Sequence, residues 1–362
     1  MKKWNIGWGP IAKCNMKCQF CYSKNKRQES NALNQKDWIN FVDNNGMQIN
    51  TINYGTGENT LSNEWFYLVK YIRQNLPEIR QSLTTNGHLA EALKNKTSLR
   101  SFIDGIDEVD VSLDFCHADN HNAFRGQPKA YEWAIKTLEI CQYYGKPCTI
   151  VFLGSEINSA LNNIEGLFSI AEKYGAILRM NIYRPTEGLN EKTRKFVIKR
   201  ETLLSILQYI DRHHRIIAMD DPLLSSWLTG KTISDPSGYN SLRILADGNI
   251  TPSTYLIEKN FVIGNIKDNH VLSRLFMDNK LYSIAGKKTP KDCIGCLYEH
   301  SCSGGVIDRR WLWYGTLDRK DPYCPGIINA NTMPRLSVTN INFHSVHDGY
   351  LPTIFFKPGK EG

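Results

Sequence analysis

The sequence predicts an α/β fold, an incomplete parallel barrel followed by a smaller cysteine-bearing domain, and three observations carry that expectation. From Trp4 to about Pro185, short β-rich runs alternate with longer segments of helical period. Those longer segments carry an apolar stripe on one face. The residues of unusual chemistry fall just after the β-rich runs, where a barrel of this kind builds its site.

The candidate strands are Asn5–Gly9, Thr51–Tyr54, Gln81–Thr84, Glu108–Leu113, Thr149–Leu153 and Leu178–Tyr183. Between them, Trp65, Leu68, Val69, Ile72 and Leu76 form one stripe, and Ile164, Leu167, Phe168 and Ala171 another. Parallel strands with crossover helices follow, and six units make a partial (β/α)6 barrel of TIM-like plan over residues 1–190. A linker helix, Glu201 to His213, lies in 191–219; short strands, Gly-rich turns and cysteines fill 220–330. Residues 331–362 form a tail without cysteine whose end, Tyr350–Lys357, is apolar and strand-like.

Composition narrows the class. Hydrophobic residues at 41% and charged residues at 22% suit an ordinary globular chain of 362 residues. The net charge of +8 comes from Lys and Arg dispersed among acids, which gives no support to nucleic-acid binding. The start, Met1-Lys2-Lys3-Trp4, lacks the apolar run of a signal peptide, and no segment approaches a membrane span, so a cytoplasmic location is expected.

Seven of the ten cysteines fall in two tight groups with metal-ligand spacing. Cys14-x3-Cys18-x2-Cys21, in the loop after the first strand, can wrap three corners of a cubane cluster and leave the fourth iron open to chelate a small molecule. A zinc site is the competing reading, but it wants four protein ligands and the loop offers three. Phe20 stands where it could shield a cluster or stack on an adenine.

The run Cys14-Asn15-Met16-Lys17-Cys18-Gln19-Phe20-Cys21-Tyr22 resembles the signature of the radical S-adenosylmethionine (radical SAM) superfamily. Tyr54-Gly55-Thr56-Gly57-Glu58 resembles that family's glycine-rich motif, with Gly55, Gly57 and Glu58 implied to hold the methionine amine. Thr56 stands where Gly is common and Asn59 where Pro is common. Thr85 and Asn86 in Thr84-Thr85-Asn86-Gly87, Ser112, Asp114 and Arg125 fall where the family contacts ribose, carboxylate or substrate. Tyr183, with Arg184 and Pro185, ends the sixth strand and is a candidate for the adenine or substrate pocket. The resemblance, over about the first 190 residues, implies a 4Fe–4S cluster and S-adenosylmethionine cleaved to a 5′-deoxyadenosyl radical that abstracts hydrogen.

Cys293-x2-Cys296-x5-Cys302 and Cys324 offer four more thiolates, and by spacing alone a zinc ribbon reads as well as an iron–sulfur cluster. Their context, Arg243 to Ile250 and then Gly264-Asn265-Ile266, is similar to the SPASM extension of peptide-modifying radical SAM enzymes. That resemblance implies one auxiliary 4Fe–4S cluster on Cys293, Cys296, Cys302 and Cys324. The ligands of a second, nearer cluster are replaced by Ser241, Ser253 and Val306, and Thr254 stands where sulfatase-maturing enzymes carry an Asp.

Cys141 and Cys148 read as buried small hydrophobes, whereas Cys116, just past the fourth strand, is a candidate hydrogen donor or crosslinking residue. Asp114 and Arg125 are further catalytic candidates, and His117 and His121 share the Cys116 loop as possible acid–base groups.

The resemblance implies an enzyme that crosslinks, epimerises or excises part of a ribosomally made precursor peptide. A sugar or antibiotic dehydrogenase and a zinc-binding scaffold are the rival readings. Because the chain begins almost at its first strand, a separate leader-binding helper is expected, or a sheet edge that takes the leader as an added strand. An electron donor such as flavodoxin or ferredoxin completes the expected partners.

Overall fold

A computed structural model describes residues 3–24, 33–94, 96–277, 289–326, 335–339 and 345–359. The strands are β1 Trp4–Trp8, β2 Ile49–Tyr54, β3 Arg80–Thr85, β4 Glu108–Ser112, β5 Cys148–Gly154, β6 Ile177–Ile182, β7 Arg215–Met219, β8 Ser241–Ile244, β9 Asn249–Thr251, β10 Gly264–Asn265 and β11 Ile354–Lys357. The first six lie within two residues of the expected spans at each end. They pair in parallel and in sequence order, as right-handed βαβ crossovers require.

The crossover helices bury the predicted stripes. Helix Asn63–Asn75 starts where the Ser62 side chain accepts from the Trp65 backbone N–H, and it buries Trp65, Leu68, Val69 and Ile72. Helix Leu161–Tyr174 buries Ile164, Leu167, Phe168 and Ala171 and stops at Gly175 in the left-handed conformation. One hydrophobic core runs from Trp4 and Trp8 through these helices to Phe356.

Two features extend the expected barrel. β8 pairs in parallel with β1, Asn5 opposite Ser241 to Trp8 opposite Ile244, so the cysteine-bearing region continues the same sheet through a β8–β9–β10 hairpin arrangement. β11 inserts antiparallel between β6 and β7, with Ile354, Phe355 and Phe356 fully buried. Within the 331–362 segment, Ile354–Lys357 is therefore a strand of the sheet. Each of those buried side chains contributes about 1.5–3 kcal/mol.

The residues just before β11 enter the barrel. Ser345 Oγ and the Val346 N–H donate to Glu108 at 2.9 and 2.8 Å, and His347 Nδ1 lies 3.0 Å from Asp110 Oδ2. Tyr350 passes so close to β1 that a Cβ at Gly7 would overlap its hydroxyl oxygen, so only glycine clears its path.

Asp220, at the end of β7, ties this segment down: its backbone N–H donates to Thr353. Burial, with Asp348 adding like charge, pushes the Asp220 carboxyl up to about 8. The protonated form is the one the fold favours, so its contribution is complete below pH ~4, the unfolded value, and is lost as pH rises toward 8. Asp220→Asn is expected to leave the melting temperature near that of the parent at pH 4 and to exceed it by several degrees at pH 8. Calorimetric scans across that range check this; a constant difference at every pH would refute it.

Candidate functional site

Cys14, Cys18 and Cys21 sit on the loop that leaves the C-terminal end of β1 and line a cavity of about 180 Å³ at the mouth of the barrel. Beneath them Met16, Cys18, Ala130 and Trp133 form a small apolar cluster against which Cys14, Phe20 and Cys21 pack. Asn86 Nδ2 holds the loop from the side, 2.8 Å from Asn15 Oδ1 and 3.8 Å from Cys14 Sγ. Burial, opposed by Arg125, pushes the Cys18 thiol up to about 11, so a metal bound there displaces protons.

The motif after β2 wraps beneath that loop. Gly57 has φ +64°, and a Cβ there would overlap the Ile11 carbonyl oxygen, while the Glu58 N–H donates to the Lys13 carbonyl at 2.9 Å. Thr56, the departure from glycine, holds φ +76°, which is strained for a β-branched residue. Its hydroxyl is gripped by Tyr22 at 2.8 Å and by the Arg243 guanidinium, which also donates to the Gly55 carbonyl at 2.7 Å.

Gly55, Gly57, Thr85, Asn86, Ser112, Arg125, Phe20 and Tyr183 all line this cavity. Phe20 stacks on Phe124 at 4.3 Å between centroids, and the Arg125 guanidinium lies 5.1 Å above its ring. Tyr183 packs on Phe196 at 5.5 Å.

Three of the expected residues lie outside the lining. Glu58 is fully buried, and its carboxylate accepts from Thr60, Thr85 and the Asn86 N–H, which ties it to the Thr85–Asn86 turn. Asp114 likewise lies behind the lining, bonding Arg125 Nε at 2.6 Å and the Leu153 N–H at 2.8 Å, which makes it a positioning residue for Arg125. Cys116 is outside the lining because its side chain turns under helix Leu161–Tyr174, where a Cβ on Gly166 would lie 2.5 Å from its sulfur.

His121, fully buried, accepts from the Asp114 N–H through Nδ1, and burial holds its pKa well below the usual value, so it stays neutral and structural. His117 is the residue before helix Ala118–Arg125 and does not line the cavity. Cys141 is buried, and Cys148 is hydrogen-bonded to it inside the sheet–helix layer.

The sequence reading missed the deeper lining: Asn53, Arg179, Asn181, His347, Tyr350 and Leu351. Arg179 in β6 and Asp110 in β4 did carry a signal. A charge in the middle of a buried parallel strand has to point into the barrel and find a partner. The two side chains lie 3.5 Å apart; burial would raise Asp110, but Arg179 and His347 outweigh it and leave it lowered.

Cys293, Cys296, Cys302 and Cys324 line one small cavity beside Leu223 and Tyr298. Burial pushes the Cys293 thiol up to about 11 and raises Cys302 and Cys324 as well. Four thiolates on one zinc ion at about 2.3 Å stand ~3.8 Å apart. Among the described residues no three cysteine sulfurs, in either group, lie within 4.8 Å of one another. At the nearer auxiliary position, Ser253 Oγ donates to Asp308 at 2.9 Å and Arg184 Nε to the same carboxylate at 2.7 Å, while Ser241 and Val306 are buried.

Residues 8–159 match the family model described as the Radical SAM superfamily. Mycofactocin maturase MftC of Mycolicibacterium smegmatis is 21% identical over 343 residues, spanning 88% of this chain and 82% of the relative. Fe-coproporphyrin III synthase of Methanosarcina barkeri is 28% identical over 363 residues, spanning 89% and 88%. Of solved structures, Streptococcus suis SuiB bound to precursor peptide SuiA overlays with TM-score 0.67 at 17% identity, covering 90% of this chain and 76% of that one. A histidine-tagged anSMEcpe with bound AdoMet gives 0.69 at 18%, covering 88% and 90%. Residues 8–159 thus carry a radical SAM domain, of the family that works with a 4Fe–4S cluster and S-adenosylmethionine.

Gly57→Ala drives a methyl group into two carbonyl oxygens of the cysteine loop and forces an unfavourable φ. The variant is expected to keep its far-ultraviolet circular dichroism and to bind S-adenosylmethionine at least about tenfold more weakly, a cost of ~1.4 kcal/mol or more. Calorimetry on anaerobically reconstituted protein measures it; unchanged affinity would refute the placement of this loop.

Proposed function

We propose that this radical SAM enzyme modifies a ribosomally made precursor peptide, delivered by a separate leader-binding partner and reduced through a flavodoxin or ferredoxin. The observation that carries this is the shape of the cavity, whose rim of Cys14, Cys18 and Cys21 faces a wall supplied by the cysteine-bearing C-terminal region through Arg243, Thr254 and Tyr255. The similarity to a peptide maturase, and to the fold of a protein solved with its precursor peptide, supports the same reading.

In this reading Cys14, Cys18 and Cys21 hold the S-adenosylmethionine-binding cluster, and Cys293, Cys296, Cys302 and Cys324 hold an auxiliary one in a SPASM-like unit over 220–330. Bound there, cluster and cofactor supply the reductive cleavage that yields a hydrogen-abstracting 5′-deoxyadenosyl radical. Gly55 and Gly57 bring backbone close to the methionine end, Ser112 and Arg125 meet its carboxylate, and Phe20, Thr85, Asn86 and Tyr183 orient the rest. The apolar packing of Met16 and Trp133 under the loop keeps water from the cluster. Crosslinking, epimerisation and backbone excision all remain outcomes of hydrogen abstraction at such a site.

The similarity to Fe-coproporphyrin III synthase, over nearly the whole of both chains, favours a second reading in which a small molecule is the substrate. Anaerobic reconstitution with iron, sulfide, dithionite and S-adenosylmethionine is expected to give about eight irons per chain and to release 5′-deoxyadenosine. Iron-loaded protein that forms none would overturn the reading of the site. Cys293→Ala with Cys296→Ala is expected to lower the iron to about four. Mass spectrometry of a short precursor peptide encoded beside the gene separates the two readings, since the small-molecule enzyme turns over without it.

A further inference from the structure

The cavity lining contains four arginines, Arg125, Arg179, Arg184 and Arg243, and among its residues no aspartate or glutamate. Arg125 stands at the cysteine rim, beside Cys18 and over Phe20. The other three lie deeper, each at most 3% exposed. Their partners sit behind them: Asp110 for Arg179, an acid that it shares with His347, and Asp308 for Arg184.

Arg243 makes no carboxylate contact among the described residues; its bonds go to the Gly55 carbonyl and the Thr56 hydroxyl. Donors are also left over: among the described residues, Arg179 Nε and Nη1, Arg184 Nη2 and Arg243 Nε have no partner. A buried guanidinium N–H without an acceptor is destabilising, so several around one cavity point to an acceptor that arrives with the ligand.

We propose that Arg179, Arg184 and Arg243 receive a carboxylate of the substrate, so that the part presented to the radical is acidic. Planar guanidinium forks suit a carboxylate, and a site built this way rejects the neutral amide by leaving its own donors unpaired. This rests on the reading of the cavity as the reaction chamber. The carboxylate belongs either to a peptide C-terminus or to an Asp or Glu side chain.

The test uses the full chain, reconstituted anaerobically with S-adenosylmethionine present. Three probes are titrated by calorimetry: N-acetylalanine for a terminal carboxylate, N-acetylglutamic acid α-amide for a side-chain carboxylate, and N-acetylglutamine amide for neither. One acid is expected to bind at least about tenfold more tightly than the neutral probe, and Arg243→Gln, titrated with S-adenosylmethionine at a concentration that saturates the variant, to weaken it by about tenfold to a hundredfold. Arg243→Lys is expected to recover part of the loss. If both acids bind no better than the amide, or if the saturated Arg243→Gln variant binds the acid as tightly as the parent, the proposal falls; the parent comparison decides the matter even where a variant fails to fold. Because binding of the probes needs no peptide turnover, this result stands apart from the failure or success of the precursor-peptide reading.

Discussion

A charge inside a barrel needs an opposite charge or hydrogen-bond acceptors to meet it, and this constraint organises the molecule. Asp110 on β4, Arg179 on β6 and His347 from the C-terminal segment meet in the lumen, all almost wholly buried. Removing one member of such a set strands the others at a cost of about 3–5 kcal/mol, so three elements distant in sequence are held to one arrangement. The same logic joins barrel to C-terminal region. Arg184, just beyond β6, pairs with Asp308, and Arg309 pairs with Asp221 and Asp321 in a fully buried fork.

These pairs also set the charge of the cavity. Their acids lie outside its lining and Arg179 and Arg184 within it, and among the described residues several of their guanidinium nitrogens keep no hydrogen-bond partner. Strain at Thr56 belongs to the same design. The residue holds an unfavourable φ because Tyr22 and Arg243 fix its hydroxyl, coupling the loop of the first motif to β8.

Most of the barrel was legible in the sequence because its signals are local. β-branched and aromatic runs, apolar stripes at helical spacing and closely spaced cysteines can each be read within a window of some fifteen residues. What escaped was non-local. The antiparallel insertion of β11 depends on a gap between β6 and β7 that no window contains, and the hidden place of Glu58 depends on Thr85 and Asn86 folding over it. The packing of Cys116 is non-local as well: Gly166 leaves a hollow under the neighbouring helix that its side chain fills.

The insertion of β11 has a consequence for the making of the protein. β6 ends at Ile182 and β11 begins at Ile354, so a ribosome adding 5–20 residues per second needs roughly 10–35 s to deliver the second after the first. During that interval Glu108, Asp110 and Arg179 face a lumen without His347, and the edges of β6 and β7 stand open. The nascent barrel therefore stays open between β6 and β7 until β11 has been made.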